Sequence, residues 1–314
     1  MIARRALFTL VVGALLSSCE RRAPLARNTL APAPRAAKLW FLGDVHGGAR
    51  LDALFDARSS LAAQLAAETG FVNLEGIVVE GAGASSEQRL VNDRTVLATL
   101  RRSGVRVASI ANNHANDDGA EGLTRTAALV DRAEITAIGA ESEPKLIVVD
   151  GVRIAWIAWD LSRGVPPNAA ASLDRAASLA RARVLSLHVS APPLYTPAPA
   201  PLREAVRLAV DHEVSVVVAH GTHTIAPITR ERRTLIAWGL GNAVFHCDCS
   251  RETEGLLLRV ELGGDGSTRA QVAPLEAGLD GRALAFGGAE GASFQLLRAL
   301  GVSVQEHGEL GSLP

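Results

Sequence analysis

The chain has 314 residues, 48% of them apolar and 21% charged, with 32 basic against 33 acidic side chains. That balance excludes a largely disordered protein and leaves no basic footprint for nucleic acid, so no nucleic-acid partner is expected. Three cysteines are too few for a disulfide scaffold, and aromatics at 4% are too few for a groove that stacks sugars or single strands.

The first residues read as an address. Arg4 and Arg5 precede the apolar run ALFTLVVGALL, and Ser17, Ser18 and Cys19 follow. A basic start, an apolar core and small residues before a cut predict a secretory signal over residues 1–18. The run falls short of the ~20 apolar residues of a membrane span. Leu16-Ser17-Ser18-Cys19 also resembles a bacterial lipobox. That resemblance implies cleavage before Cys19 and lipidation of its thiol, which would hold the protein on a membrane surface. Residues 19–38 are rich in Pro, Ala and Arg without apolar period, the composition of a tether.

From Lys38 onward strand and helix patterns alternate. KLWFLG predicts a strand ending at Gly43, residues 51–69 a helix, and GFVNLEG a second strand. A helix over 93–103, closed near Gly104, leads to the strand VRVASIAN. A helix over 119–133 and the short strand ITAIGA follow. KLIVVDGVRIAWIAWD predicts two strands joined at Asp150-Gly151. ARVLSLH is a strand, residues 201–212 a helix, and VSVVVAH the most β-rich run. TLIAWGLGN and EGLLLRVEL predict late strands, and residues 291–300 a closing helix. The alternation predicts an α/β domain. The hairpin and late strands predict mixed sheets. About ten strands exceed one comfortable open sheet, so two packed mixed sheets with helices outside are expected, a four-layer α-β-β-α sandwich. No linker interrupts residues 39–314, which predicts a single catalytic domain.

Ligand-type residues collect at the strand ends, where α/β proteins place their sites. The first strand ends in Asp44-Val45-His46, whose spacing on extended backbone sets both side chains on one side. The second ends in Asn73-Leu74-Glu75, the third in Asn112-Asn113-His114, and later strands in His188 and in His220-Gly221-Thr222-His223. An oxygen- and nitrogen-rich set without thiolate suits Mn, Fe or Zn.

This order of motifs is similar to the calcineurin-like metallophosphoesterases, and more closely to their CapA branch, named for poly-γ-glutamate capsule synthesis. The resemblance rests on Gly43-Asp44, Asn73-Leu74-Glu75, the run NNHANDDG over 112–119, His188, His220-Gly221-Thr222-His223 and GLGNAVF over 239–245. It covers roughly residues 39–300 and implies a metallophosphoesterase-like sandwich. It also implies two divalent ions with a bridging water. Glu75 would bridge them, with Asp44, His46 and His223 on one ion and Asn113, His188 and His220 on the other. Beside them His114 would protonate a leaving oxygen. Asp117 would orient His114 or cap the following helix. Asn242 would line the site or turn the chain, and Asn73 and Asn112 would face the substrate. The chain departs from the family's pattern at Val189-Ser190, Thr222 and Ala243, which touches the substrate pocket more than the metal centre.

Two functions fit. One is a lipid-anchored, metal-dependent hydrolase of a phosphoester or related bond, on an anionic or phosphorylated small molecule. The other is a non-catalytic envelope protein that binds or exports an anionic polymer such as poly-γ-glutamate. Both place the chain at the bacterial cell envelope, on the outer side of the cytoplasmic membrane or on the outer membrane. Cys247 and Cys249, beside His246, read as buried small residues or as a strained pair or separate metal site.

Overall fold

Two strands that enter the core side by side organise the chain: β1 (Ala36–His46) and β2 (Thr69–Leu74). After them come β3 (Ile77–Val79), β4 (Val91–Asp93), α1 (Thr95–Arg102), β5 (Val105–Ser109), α2 (Gly119–Arg132) and β6 (Thr136–Ile138). The middle of the chain holds β7 (Lys145–Val149), β8 (Val152–Asp160), α3 (Ala169–Leu179), β9 (Ala182–His188), α4 (Ala200–Asp211) and β10 (Val216–His220). The last part holds β11 (Ile228–Glu231), β12 (Thr234–Ala237), β13 (Asn242–Phe245), β14 (Glu254–Gly263), β15 (Thr268–Glu276) and β16 (Ala285–Phe286). It closes on α5 (Ala292–Ala299), β17 (Gln305–His307) and β18 (Leu310–Ser312). The computed structural model describes residues 35–47, 65–245 except 82, 84, 87, 142, 194 and 197, then 253–278, 284–286, 292–301, 305–307 and 310–312. The expected signal, Cys19, most of the tether, the helix over 51–69 apart from its last turn, and the Cys247–Cys249 stretch lie outside the described residues.

Two mixed sheets form. The ten-stranded sheet follows β17-β18-β15-β14-β1-β2-β5-β6, with β13 added to β1 and β16 to β15. The six-stranded sheet follows β11-β12-β10-β9-β8-β7. Strand alternation shows how they pack. Leu39 and Phe41 of β1 join Ile154 and Trp156 of β8 and Val216 and Val218 of β10 in one core between the sheets. Their neighbours Trp40 and Leu42 turn outward to Val96, Leu97 and Leu100 of α1 and Val130 of α2. Ala155, Ile157 and Trp159 turn outward to Leu173 of α3 and to Leu202, Val206 and Ala209 of α4. Period-two burial on both faces of a strand requires a layer on each side, and the result is α-β-β-α. Phe71 stacks on Trp156 at 5.6 Å between the sheets, a contact type that adds ~0.5–1.5 kcal/mol beyond area burial.

The hairpin at Asp150-Gly151 forms where the sequence puts it, and the helix expected over 201–212 runs from Ala200 to Asp211. TLIAWGLGN does not form one strand. Its first half is β12 in the six-stranded sheet, and its last residue opens β13 in the ten-stranded sheet. The chain crosses between sheets through Trp238–Gly241. That crossing sets Gly241 against Gly43: Asp44 N donates to Gly241 O at 3.1 Å, and a Cβ on Gly43 would meet the same oxygen at 1.9 Å. Two motifs nearly 200 positions apart in the chain are therefore one packed unit, and glycine at 43 is a requirement of that approach.

Candidate metal centre

Strand register delivers the site. Asp44 lies opposite Asn73 on β2 and Asn242 on β13. His188 at the end of β9 lies opposite His220 at the end of β10. Registered residues on paired strands share a face, so Asp44, Asn73 and Asn242 become neighbours in one sheet and His188 and His220 in the other.

Asp44 is the hub, and it is 1% exposed. Its Oδ1 accepts from Asn73 Nδ2 at 2.9 Å and its Oδ2 from Gly221 N at 3.0 Å. His220 Nδ1 lies 3.3 Å from Oδ1 and His223 Nδ1 3.4 Å from Oδ2. Burial pushes the Asp44 carboxyl up, but the hydrogen bond and charge of His220, then the charges of His223 and His188, outweigh it and hold it well below the carboxylate range. Gly221 makes this possible. Its φ of +89° is left-handed, and a Cβ would meet Val189 O at 2.4 Å and His188 Nε2 at 2.7 Å. His223 also adopts positive φ, +56°, an uncommon conformation for a residue with a side chain.

His188 is 1% exposed. Its Nδ1 accepts from Asn73 Nδ2 at 3.2 Å, and its Nε2 donates to Asn113 Oδ1 at 2.7 Å, 4.0 Å from Glu75 Oε1. Burial pushes its pKa down to about 3 against the pull of Asp44, so the ring is neutral, the form that ligates metals. Glu75, 2% exposed, follows β2 and is pinned by its N–H on Val45 O at 2.9 Å. Burial first, then the charges of Asp44 and Asp117, raise its pKa well above the usual range.

The site fits a cation. Buried Glu75 Oε2, Asn73 Oδ1 and His220 Nε2 have no hydrogen-bond partner. Each such group costs ~1–3 kcal/mol, and a cluster of them asks for a ligand. Asp44, Glu75 and His188 each offer a donor atom, all within 4.8 Å of one another. Among the described residues they form the acid and imidazole group that could hold one ion. It draws members from both expected ligand sets around the expected bridge. Asn113 reaches the group through His188 and His223 through Asp44, and His220 sits beside both. His46 stands to the side: its Nε2 is 3.3 Å from Ser85 Oγ and its ring packs 5.6 Å from Phe245, whose other neighbour is His223 at 4.7 Å.

His114 Nδ1 donates to Asp117 Oδ2 at 2.9 Å, which leaves Nε2 for a further partner. The same oxygen accepts from Leu90 N at 2.8 Å. Asp117 therefore holds the His114 ring, and no side chain caps α2. The three asparagines expected against substrate are all fully buried. Asn73 steadies Asp44 and His188, as above. Asn112 donates to Leu74 O at 3.0 Å and accepts from Gly76 N at 3.3 Å and His114 N at 3.2 Å, so it clamps two site loops from beneath. Asn242 Oδ1 bonds His223 Nδ1 at 2.9 Å. Sequence reasoning missed Ser85, Arg89 and Asn92, whose contacts reach His46, Asp118 and Glu75; no period or spacing marks them.

Residues 38–247 match the family described as bacterial capsule synthesis protein PGA_cap. The chain is 26% identical over 209 residues to the capsule biosynthesis protein CapA of Bacillus anthracis, across 58% of this chain and 50% of that protein. It thus spans about half the length of that curated relative. A solved phosphatase from Mycoplasma pneumoniae shares the fold with a TM-score of 0.52 at 14% identity, over 78% of this chain and 95% of that one. With two thirds of its residues inside the family match, the chain belongs to the PGA_cap family of bacterial capsule synthesis proteins.

Proposed function

We propose that the chain is a metal-dependent hydrolase of the cell envelope that cleaves phosphoester bonds. The supporting observation is the buried centre of Asp44, Glu75 and His188 with unsatisfied polar atoms, beside the His114–Asp117 pair. Asp44, Glu75, His188, His220, His223 and Asn113 would hold two divalent ions, with His46 completing the set. Bound there, such ions supply Lewis-acid polarisation of a phosphoryl oxygen and lower the pKa of water. The protein's own part is to orient and to move a proton. Asp117 fixes the His114 ring by Nδ1, and Nε2 delivers a proton to the leaving oxygen.

Loading the protein with Mn, Fe or Zn and screening phosphomonoesters and phosphodiesters tests this. His114→Gln is expected to lose ~10²–10⁴ in rate on an alkyl ester, much less on a nitrophenyl ester, and no metal. Equal losses on both esters together with lost metal would make His114 a ligand. If no ester turns over while poly-γ-glutamate binds, the capsule role of the relatives takes the form of polymer binding or export. Lipid on Cys19 is part of the same proposal and accounts for an envelope address. Labelled fatty acid should enter the wild type and not Cys19→Ser. Among the described residues no helix is long and apolar enough to cross a membrane.

A further inference from the structure

One short ribbon, β3 with β4, reaches the site from the side. Ser85, Arg89, Leu90 and Asn92 touch three of its segments. Ser85 Oγ is 3.3 Å from His46 Nε2. Arg89 grips Asp118 through two bonds of 2.8 and 3.0 Å, and Leu90 N donates to Asp117 Oδ2 at 2.8 Å. Asn92, fully buried, donates from Nδ2 to Glu75 O at 2.8 Å and accepts at Oδ1 from Gly47 N at 3.0 Å. The ribbon is itself tied down. Ile77 N donates to Leu90 O at 2.9 Å, and Val78 N donates to Thr126 Oγ1 on α2 at 3.0 Å.

We propose that Asn92 is a positioning residue that sets the spacing between the peptide after His46 and the peptide of Glu75. It rests on the reading of Asp44, His46 and Glu75 as metal ligands. The two peptides it joins belong to different segments. One follows the end of β1, and the other follows β2. Glu75 N on Val45 O is the bond at which the β1–β2 pairing ends, and Asn92 links the peptides just past it, from Gly47 N to Glu75 O. A ladder that stops at one last bond leaves the peptides beyond it free to turn. Two arms fix both distance and rotation, and coordinated sites must be held to ~0.5 Å. An amide is the group that serves here, because one partner is a carbonyl and the other an N–H. A purely apolar residue at 92 would strand both of those buried backbone groups.

The test is calorimetric titration of metal-free wild type, Asn92→Ala and Asn92→Asp with Mn²⁺ and Zn²⁺, alongside thermal unfolding of each metal-free form. Asn92→Asp keeps the acceptor for Gly47 N and replaces the donor to Glu75 O, so it retains shape if Asn92→Ala does not fold. Thr126→Val is the control. It cuts the anchor of the ribbon to α2 without touching a site segment. Asn92 variants are expected to bind metal ~10–100-fold more weakly, the usual loss on removing a residue behind a ligand. Thr126→Val is expected to unfold earlier and bind metal as wild type does. Folded Asn92 variants with wild-type affinity would overturn the inference, as would Thr126→Val losing affinity equally. A wild type that takes no metal would instead overturn the metal reading beneath it.

Discussion

At the amino end of β1 a cavity of about 530 Å³ is lined by Lys38, Glu68, Arg230, Arg259, Glu261 and Arg269 among others. At the carboxyl end, roughly 20 Å along the strand, Asp44 gathers its imidazoles. The first region has an open void and many charged side chains. Yet Arg259 lies 3.6 Å from Glu68, Arg269 lies 3.7 Å from Glu261, and Arg230 donates to Thr268. The exposed Arg269–Glu261 pair contributes ~0–1 kcal/mol, and the half-buried Arg259 and Glu68 meet each other's charge. The second region buries Asp44, Glu75, His188 and His220 and leaves carboxylate, amide and imidazole atoms without partners. The comparison teaches that unmet polar demand in a dry place, rather than empty volume, marks the chemistry of this fold.

The largest expected effect tests the buried end. Asp44→Asn removes the charge that orders His220 and His223 and should lower metal affinity beyond the ~10–100-fold of a supporting residue. Calorimetric titration checks it, and an unchanged affinity would break the contrast.

His188 gives a pH signature of the same end in the metal-free protein. Its folded pKa, about 3, lies below the ordinary 6.5, so the unfolded chain takes up a proton that the folded chain refuses. Stability from this group is full above pH 6.5 and is lost as pH falls toward 3, on the order of a few kcal/mol. Urea unfolding across that window should show the slope, and His188→Gln should flatten it.

Glu75 carries the opposite sign. Its folded pKa is raised, so its contribution is lost as pH rises above the ordinary carboxylate value. Glu75→Gln should therefore stabilise the metal-free fold at neutral pH by ~1–3 kcal/mol while weakening metal binding. A variant less stable than wild type at pH 7 would show that Glu75 is satisfied within the fold.

The smallest effect belongs to the other end. Arg269→Ala should change unfolding free energy by no more than ~0.5 kcal/mol and leave metal affinity untouched. A large loss there would erase the distinction between the two ends.

Much of the candidate site was legible because parallel strands place their last residues together, and those residues are unusual in type. Asp44, Asn73, His188 and His220 follow directly from that rule. The split of TLIAWGLGN was not legible, since nothing local says that a continuous apolar run changes sheets at Gly239–Gly241. β15 was hidden by Pro274, which reads against a strand, and the Ala-rich α3 has little apolar contrast. Asn92 and Ser85 were invisible for a different reason. Asn92 meets backbone groups far along the chain and Ser85 meets the distant His46 ring, and no spacing encodes either contact.

The central claim is that the strand-end cluster exists to hold divalent metal. Elemental analysis of the full chain, purified gently and reconstituted with Mn, Fe or Zn, tests it most directly beside Asp44→Asn. The account predicts stoichiometric metal, up to two ions per chain, in the wild type and its loss in the variant. Wild type without stoichiometric metal, or a variant that keeps it, would contradict the account.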